Sequence, residues 1–316
     1  MKHLISINDL GRDEIEFLFE LAFRVKQHPE VYQDKLKGRT LGLIFEKPST
    51  RTWASFHAGM NELGGDSLYF GPQDIQMGER EEIRDIARVL SSYLVGFVLR
   101  TFSHQTILEF AKYSRTPVIN GLSDFSHPCQ ALTDLFTVIE KFGREHLGKI
   151  KVAYVGDGNN VLTSLLFLFA KMGLTLYYAT PRQYCPKPRV LKRVKALAKR
   201  SKAKIVGAHN PKDAVHGAQV VYTDVWVSMG EEEEALEKKQ YFKGFQLNQK
   251  LLRGAARDVA VMHCLPAHRG EEITNQVMEN KHSLIFQQAA NRLTVQKAIL
   301  IYLLTSAGEG LKREGD

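Results

Sequence analysis

Lys47-Pro48-Ser49-Thr50-Arg51-Thr52 sets hydroxyls and a guanidinium where an apolar β-rich run gives way to a helical pattern. Free amides and the positive dipole end make a helix N-terminus attractive to anions, and these side chains add donors suited to phosphate oxygens. Ser and Thr are also ordinary N-caps, so the segment alone suits either role. It is not a Walker loop, because the Gly-x4-Gly-Lys pattern is absent. His127-Pro128-Cys129-Gln130, preceded by Asn120-Gly121, occupies a similar junction. A histidine held there can polarise a carbonyl, and a glutamine amide can meet a neutral carbamoyl-like group as donor and acceptor, although a lone histidine is as readily structural. Asp224-Val225-Trp226-Val227-Ser228-Met229-Gly230 and His263-Cys264-Leu265-Pro266 each follow an apolar run. An Asp and a Cys at adjacent strand ends can bind a substrate ammonium and ease the deprotonation of an attacking amine.

These segments need a scaffold that brings strand ends together. Short β-rich runs at 40–45, 67–70, 95–99, 118–120, 151–155, 174–179, 204–206, 220–223 and 259–262 alternate with amphipathic stretches at 14–25, 84–93, 107–113, 131–142 and 162–172. That alternation predicts an α/β chain with two domains, each a parallel sheet flanked by helices in a doubly wound, Rossmann-like arrangement. A polar, Gly-containing link at 143–149 marks the boundary, giving domains 1–143 and 144–287, with a C-terminal helical segment from residue 288 returning to the first. In such sheets ligands bind beyond the carboxyl ends of strands, where all four segments fall.

The 316 residues exceed what one hydrophobic core usually organises, and 44% hydrophobic with 25% charged residues excludes a disordered chain. The formal charge of +8 owes much to residues 182–204, where basic side chains surround Val190, Leu191, Val194 and Leu197. Their spacing suits one buried helical stripe under a solvated face, so no nucleic-acid partner is expected. Three cysteines, Cys129, Cys185 and Cys264, form no CxxC pair, which points to a reducing compartment without a structural zinc. Asn8, Asp9 and Arg12 interrupt any signal-peptide core, and Lys171 cuts an apolar stretch too short for a bilayer. A cytoplasmic protein with no membrane partner, metal or cofactor is expected.

Taken in order, Ser49-Thr50-Arg51-Thr52, Arg100-Thr101, His127-Pro128-Cys129-Gln130, Asp224 through Ser228-Met229-Gly230, and His263-Cys264-Leu265-Pro266 resemble the motif series of the ornithine carbamoyltransferases. The likeness runs from about Leu41 to the terminal helix and includes Gly156-Asp157-Gly158-Asn159-Asn160 and Asn291-Arg292. It implies a transferase that moves the carbamoyl group of carbamoyl phosphate to the δ-amine of L-ornithine, giving citrulline and phosphate in arginine biosynthesis or, reversed, arginine degradation. By the same resemblance Ser49, Thr50, Arg51, Thr52 and Arg100 hold the phosphate. His127, Gln130, Arg292 and the Cys264-Leu265 backbone form the carbamoyl pocket. Gln76 reaches in from an adjoining subunit of a homotrimer, or of a multiple of trimers with sites between subunits. Asn159, Asn160, Ser228 and Met229 orient the ornithine α-carboxylate, and Asp224 with Cys264 meets its α-ammonium. Arg51, Arg100, His127 and Cys264 are the candidate catalytic residues. The sequence departs from the family at Trp53, where a second loop arginine is usual.

Rival readings are weaker. Gly156-Asp157-Gly158 after a strand suggests a nicotinamide dehydrogenase, but Val161 stands at the third glycine position and Thr180-Pro181-Arg182 follows the next strand without a ribose-binding acid. A basic RNA-binding protein would need an aromatic-interleaved motif that the chain lacks. Ser228-Met229-Gly230 argues against putrescine or an acylated ornithine as acceptor, and Glu231 to Glu234 read as an acidic first helical turn.

Overall fold

The structure is a computed structural model and describes residues 2–78, 80–227 and 235–305. The chain forms two compact units, Met1–Leu132 with Arg292–Asp316, and Thr133–Asn291. The divisions fall inside two helices, Pro128–Phe142 and Ile285–Leu304. Each unit carries one all-parallel sheet.

The first unit's sheet is built from β1 (Thr40–Phe45), β2 (Asp66–Phe70), β3 (Gly96–Arg100) and β4 (Val118–Leu122), in the order β2-β1-β3-β4. β1 and β3 are almost continuously apolar and buried because helices cover both faces of a parallel sheet, while the edge strand β2 is largely exposed. The chain leaves β1 for β2 on one side and returns for β3 on the other, so the ends of β1 and β3 flank a topological switch point. Register pairs Phe45 with Arg100, which brings the anion-loop candidate beside the first buried arginine. Arg100 is thus the last residue of a strand and lies one position past the run 95–99. The C-terminal helix belongs to this unit from Arg292 onward, where Lys297 bonds Glu62 at 2.5 Å and Arg39 donates to the Leu304 carbonyl.

The second unit's sheet comprises β5 (Lys151–Val155), β6 (Thr175–Ala179), β7 (Lys204–Ala208), β8 (Val220–Thr223) and β9 (Ala260–His263), ordered β7-β6-β5-β8-β9. Its switch point lies between β5 and β8. Thr223 pairs with Val155 on one side and His263 on the other, so Asp224 and Cys264, the next residues, emerge abreast. The basic run is the helix Pro188–Ser201, with Val190, Val194 and Ala198 buried and the lysines and arginines outward. Among the described residues no helix is long and apolar enough to cross a membrane.

Candidate active site

In the first unit Ser49 caps helix Thr50–Glu62, its hydroxyl accepting from the Thr52 amide at 3.4 Å and lying 3.1 Å from the Thr52 hydroxyl. Arg51 and Thr50 in that first turn are exposed, whereas Thr52 is buried. The turn packs close to β4 because Gly121 carries no side chain: a Cβ there would stand 3.0 Å from Val98 and 3.4 Å from the Thr52 methyl. The loop leading to His127 is organised by buried Asn120, whose amide nitrogen donates to the carbonyls of Ile5 and Ser126 at 2.8 and 3.2 Å and to the Ser123 hydroxyl at 3.2 Å. Pro128 then opens the helix bearing Gln130, in the first position, where a missing N–H costs nothing. Arg292 donates to Gln130 Oε1 at 2.5 Å and to Thr52 Oγ1 at 3.5 Å.

The electrostatics converge on His127, which is buried. Burial first, then the positive charges of Arg292, Arg100 and Lys47, hold its imidazole well below the usual 6.5, so the ring is neutral near pH 7. Lys47 is itself buried, 4.9 Å from the centre of the Phe102 ring, and Arg100 is 4% exposed. Three cations with so little water raise the electrostatic cost of one another, and a multiply charged anion relieves it.

In the second unit Asp224 collects donors on both carboxylate oxygens. Oδ1 accepts from the Val225 amide and the Cys264 thiol, both at 2.8 Å, and Oδ2 accepts from Asn159 at 2.7 Å. Asn159 simultaneously caps helix Asn160–Met172, its Oδ1 accepting from the Val161 and Leu162 amides at 3.0 and 3.1 Å. Burial and the neighbouring Asp224 carboxylate push the Cys264 thiol well above its ordinary range, so it stays protonated and donates. Leu265 is held at φ 59, one of three non-glycine residues with positive φ among the described residues; exposed Gln76, at φ 38, is another. Such strain on an L-residue persists only where the surroundings fix it. Here they do: the Leu265 amide donates to His263 Nδ1 at 2.8 Å, and His263 Nε2 donates to buried Glu272 at 3.0 Å, which also accepts from the His268 amide at 2.6 Å. Asp224, His263 and Cys264 bring ligand-type atoms within 4.8 Å of one another, as do His268, Glu271 and Glu272. Both ring nitrogens of His263 are already engaged, which argues against a metal in the first group.

Residues 2–140 match the aspartate/ornithine carbamoyltransferase carbamoyl-P binding domain, and residues 148–303 match the Asp/Orn binding domain of the same family. The chain belongs to the aspartate/ornithine carbamoyltransferase family. An ornithine carbamoyltransferase of Archaeoglobus fulgidus is 47% identical over 311 residues, covering 98% of this chain and 99% of its own. One from Anoxybacillus flavithermus is 48% identical over 306 residues, 96% of each chain. The solved structure of the Pyrococcus furiosus ornithine carbamoyltransferase superposes with a TM-score of 0.91 at 44% identity, covering 97% of both chains.

Against the family motif series, the first unit gathers Thr52, Arg100, His127, Gln130 and Arg292, while Ser49 shapes the loop and Arg51 is exposed at its edge. The second unit gathers Asn159, Asp224 and Cys264, and sets Asn160 at the start of the adjoining helix. Ser228, Met229 and Gly230 lie outside the described residues, as do Glu231 to Glu234. Cys129 is a packed thiol, pushed up to about 12 by burial, and Cys185 is exposed. Trp53 stacks on His57, 5.9 Å between ring centres with planes 9° apart, and meets the Tyr69 edge on β2. Sequence reasoning assigned no role to Lys47, Glu272, Asp134, Tyr222 or Gln288. Lys47 adjoins the anion loop and was legible there, whereas the others become neighbours of the site only through tertiary contacts.

Proposed function

We propose that the protein transfers the carbamoyl group of carbamoyl phosphate to the δ-amine of L-ornithine, releasing citrulline and phosphate. The observation that carries the reading is the set of three buried cations, Lys47, Arg100 and Arg292, around a neutral His127. Such a field suits the phosphate dianion of a substrate that already carries its own leaving group. Ser49, Thr50, Arg51 and Thr52, at the helix N-terminus, bind the phosphate together with Arg100. Neutral His127 acts as a hydrogen-bond donor to the carbamoyl oxygen, where negative charge grows as the amine attacks, and Gln130 with Arg292 holds the rest of the group.

On the amino-acid side Asp224 and Cys264 meet the α-ammonium, and Asn159, Asn160, Ser228 and Met229 orient the carboxylate. The δ-amine resembles lysine's, near ~10.4, and arrives protonated; neighbouring arginines and loss of water favour its neutral, nucleophilic form. Departing phosphate accepts the proton shed by the tetrahedral adduct, so no protein base is assigned. Ornithine as acceptor draws its support from the named relatives and from Ser228-Met229-Gly230. The protein acts as a homotrimer, or a multiple of one, in which Gln76 reaches the carbamoyl phosphate of a neighbouring copy. Exposed Trp53, Leu68 and Tyr69 supply the apolar surface such an assembly covers. Citrulline formation belongs to arginine biosynthesis, with the reverse reaction serving breakdown, and three cysteines that form no disulfide suit a cytoplasmic setting.

A colorimetric assay for ureido products, with carbamoyl phosphate and a panel of ornithine, putrescine, acetylornithine and aspartate, tests the reading. Product with ornithine alone is the expected result. Activity only with aspartate or putrescine overturns the acceptor, and no phosphate release with any amine overturns the reaction.

A further inference from the structure

Below the Asp224-Cys264 pair lies a second buried carboxylate that the chemistry above leaves unused. Asp134, on helix Pro128–Phe142, is 2% exposed, and its Oδ1 accepts from Gln288 Nε2 at 2.6 Å. Gln288 is fully buried and makes two further contacts: Nε2 donates to the Tyr222 hydroxyl oxygen at 3.3 Å, and Oε1 accepts from the His263 amide at 3.0 Å. A carboxylate oxygen of this kind accepts only and the His263 N–H donates only, so the two together fix which end of the Gln288 amide faces each. With that end fixed, the amide oxygen must face His263, the residue before Cys264. The second amide hydrogen occupies the Tyr222 oxygen, which turns the phenolic proton toward the Cys264 sulfur. The thiol proton is then directed to Asp224 Oδ1. From the other side Asn159 is oriented by the helix amides it caps, so its nitrogen also points at Asp224.

We propose that Asp134 is a positioning residue for the amino-acid side of the site, acting through Gln288 and Tyr222 to fix the direction of the hydrogen bonds that hold Cys264 against Asp224. This rests on the reading that Asp224 and Cys264 face ornithine. Buried amides and hydroxyls have two or more nearly equivalent orientations, and a chain anchored at one end by an acceptor-only group has one. The donors reaching Asp224 are thereby set before any substrate arrives, which is the preorganisation an ammonium-binding carboxylate needs. Among the described residues the titratable groups near Cys264 are Asp224, Asp134, Tyr222, Tyr154 and His263, whose ring nitrogens are held by the Leu265 amide and Glu272. The Asp224 and Asp134 carboxylates oppose formation of a thiolate, and the Tyr222 hydrogen bond favours it.

The test uses Asp134→Asn and Tyr222→Phe in the full-length protein carrying Cys185→Ser, so that iodoacetamide reports Cys264 while Cys129 stays buried. An asparagine still offers an oxygen to Gln288, but it removes the charge that strengthens this bond and so loosens the anchor of the chain. The expected result is a rise of about ten-fold in KM for ornithine, the loss of one net hydrogen bond, with KM for carbamoyl phosphate unmoved. In the substrate-free protein the alkylation rate at one fixed, mildly alkaline pH rises in Asp134→Asn, because one negative charge is gone. It falls in Tyr222→Phe, which keeps the ring volume and loses only the hydroxyl. An unchanged alkylation rate in both variants, or an equal rise in both KM values, overturns the proposal. Opposite shifts in alkylation, with ornithine KM unmoved in Asp134→Asn and in Asp224→Asn alike, leave the hydrogen-bond chain standing and overturn the placement of ornithine beside it.

Discussion

Replacing Arg292 by methionine keeps most of the side-chain length and removes the charge that ties helix Ile285–Leu304 to Gln130. The guanidinium donates to Gln130 Oε1 at 2.5 Å, and the glutamine is 1% exposed, so no water replaces the lost donor. A hydrogen bond from a charged group in such a place contributes about 1.5–3 kcal/mol, which converts to roughly ten- to 150-fold in kcat/KM for carbamoyl phosphate. A second effect has a definite sign. Arg292 is the largest charge contribution to the depressed pKa of His127, after burial itself. Its removal raises that pKa while leaving it under 6.5, because burial is untouched. The acid limb of kcat/KM therefore moves to higher pH, since protonated His127 adds a cation and changes the donor. Initial rates of ureido product at saturating ornithine, taken across pH, read both effects, and urea melts separate them from loss of fold. A variant with the wild-type acid limb and less than about three-fold loss would refute the placement of Arg292 beside His127 and carbamoyl phosphate.

Trp53→Arg is expected to change KM for carbamoyl phosphate by much less than Arg51→Ala, because the indole stacks on His57 and the substitution leaves Arg51 and Arg100 in place; comparable effects of the two would contradict this. Asp224→Asn should raise KM for ornithine by about ten- to 100-fold with KM for carbamoyl phosphate nearly constant, as measured by varying each substrate in turn. Glu272→Ala strips the acceptor from His263 and the His268 amide, both bonded to it inside the protein, and should lower stability by about 1–3 kcal/mol in urea. Acid should weaken the fold through His127: its folded pKa lies below 6.5, so the unfolded chain takes the proton first and stability falls as pH drops below that value. Relative to His127→Gln, the wild type should lose more urea resistance between about pH 7 and about pH 5.5, and a parallel loss in both would sink the argument.

The β-runs and the four chemical segments were legible because each signal is local. β1, β5 and β8 announce themselves as apolar runs of four to six residues, as strands buried on both faces must. Ser49 and Asn159 begin helices where their side chains can cap free amides. Boundaries were less secure: Gly121 and Leu122 continue β4 beyond the run 118–120, because pairing with β3 and not propensity decides where a strand stops. The two units divide within helices Pro128–Phe142 and Ile285–Leu304, and the polar link at 143–149 is where the sequence placed a boundary. A continuous helical period carries no mark of which neighbours each turn will touch.

Residue type and order alone established a parallel α/β chain of the carbamoyltransferase kind, since strand ends, caps and motif spacing are written within a few residues of each other. Only the tertiary structure decided that His127 is neutral, that Cys264 donates rather than attacks, and that Asp134, Gln288 and Tyr222 stand behind them. Protonation and hydrogen-bond direction depend on burial and on charges brought from distant positions, as Arg292 is brought to Gln130 across 162 residues.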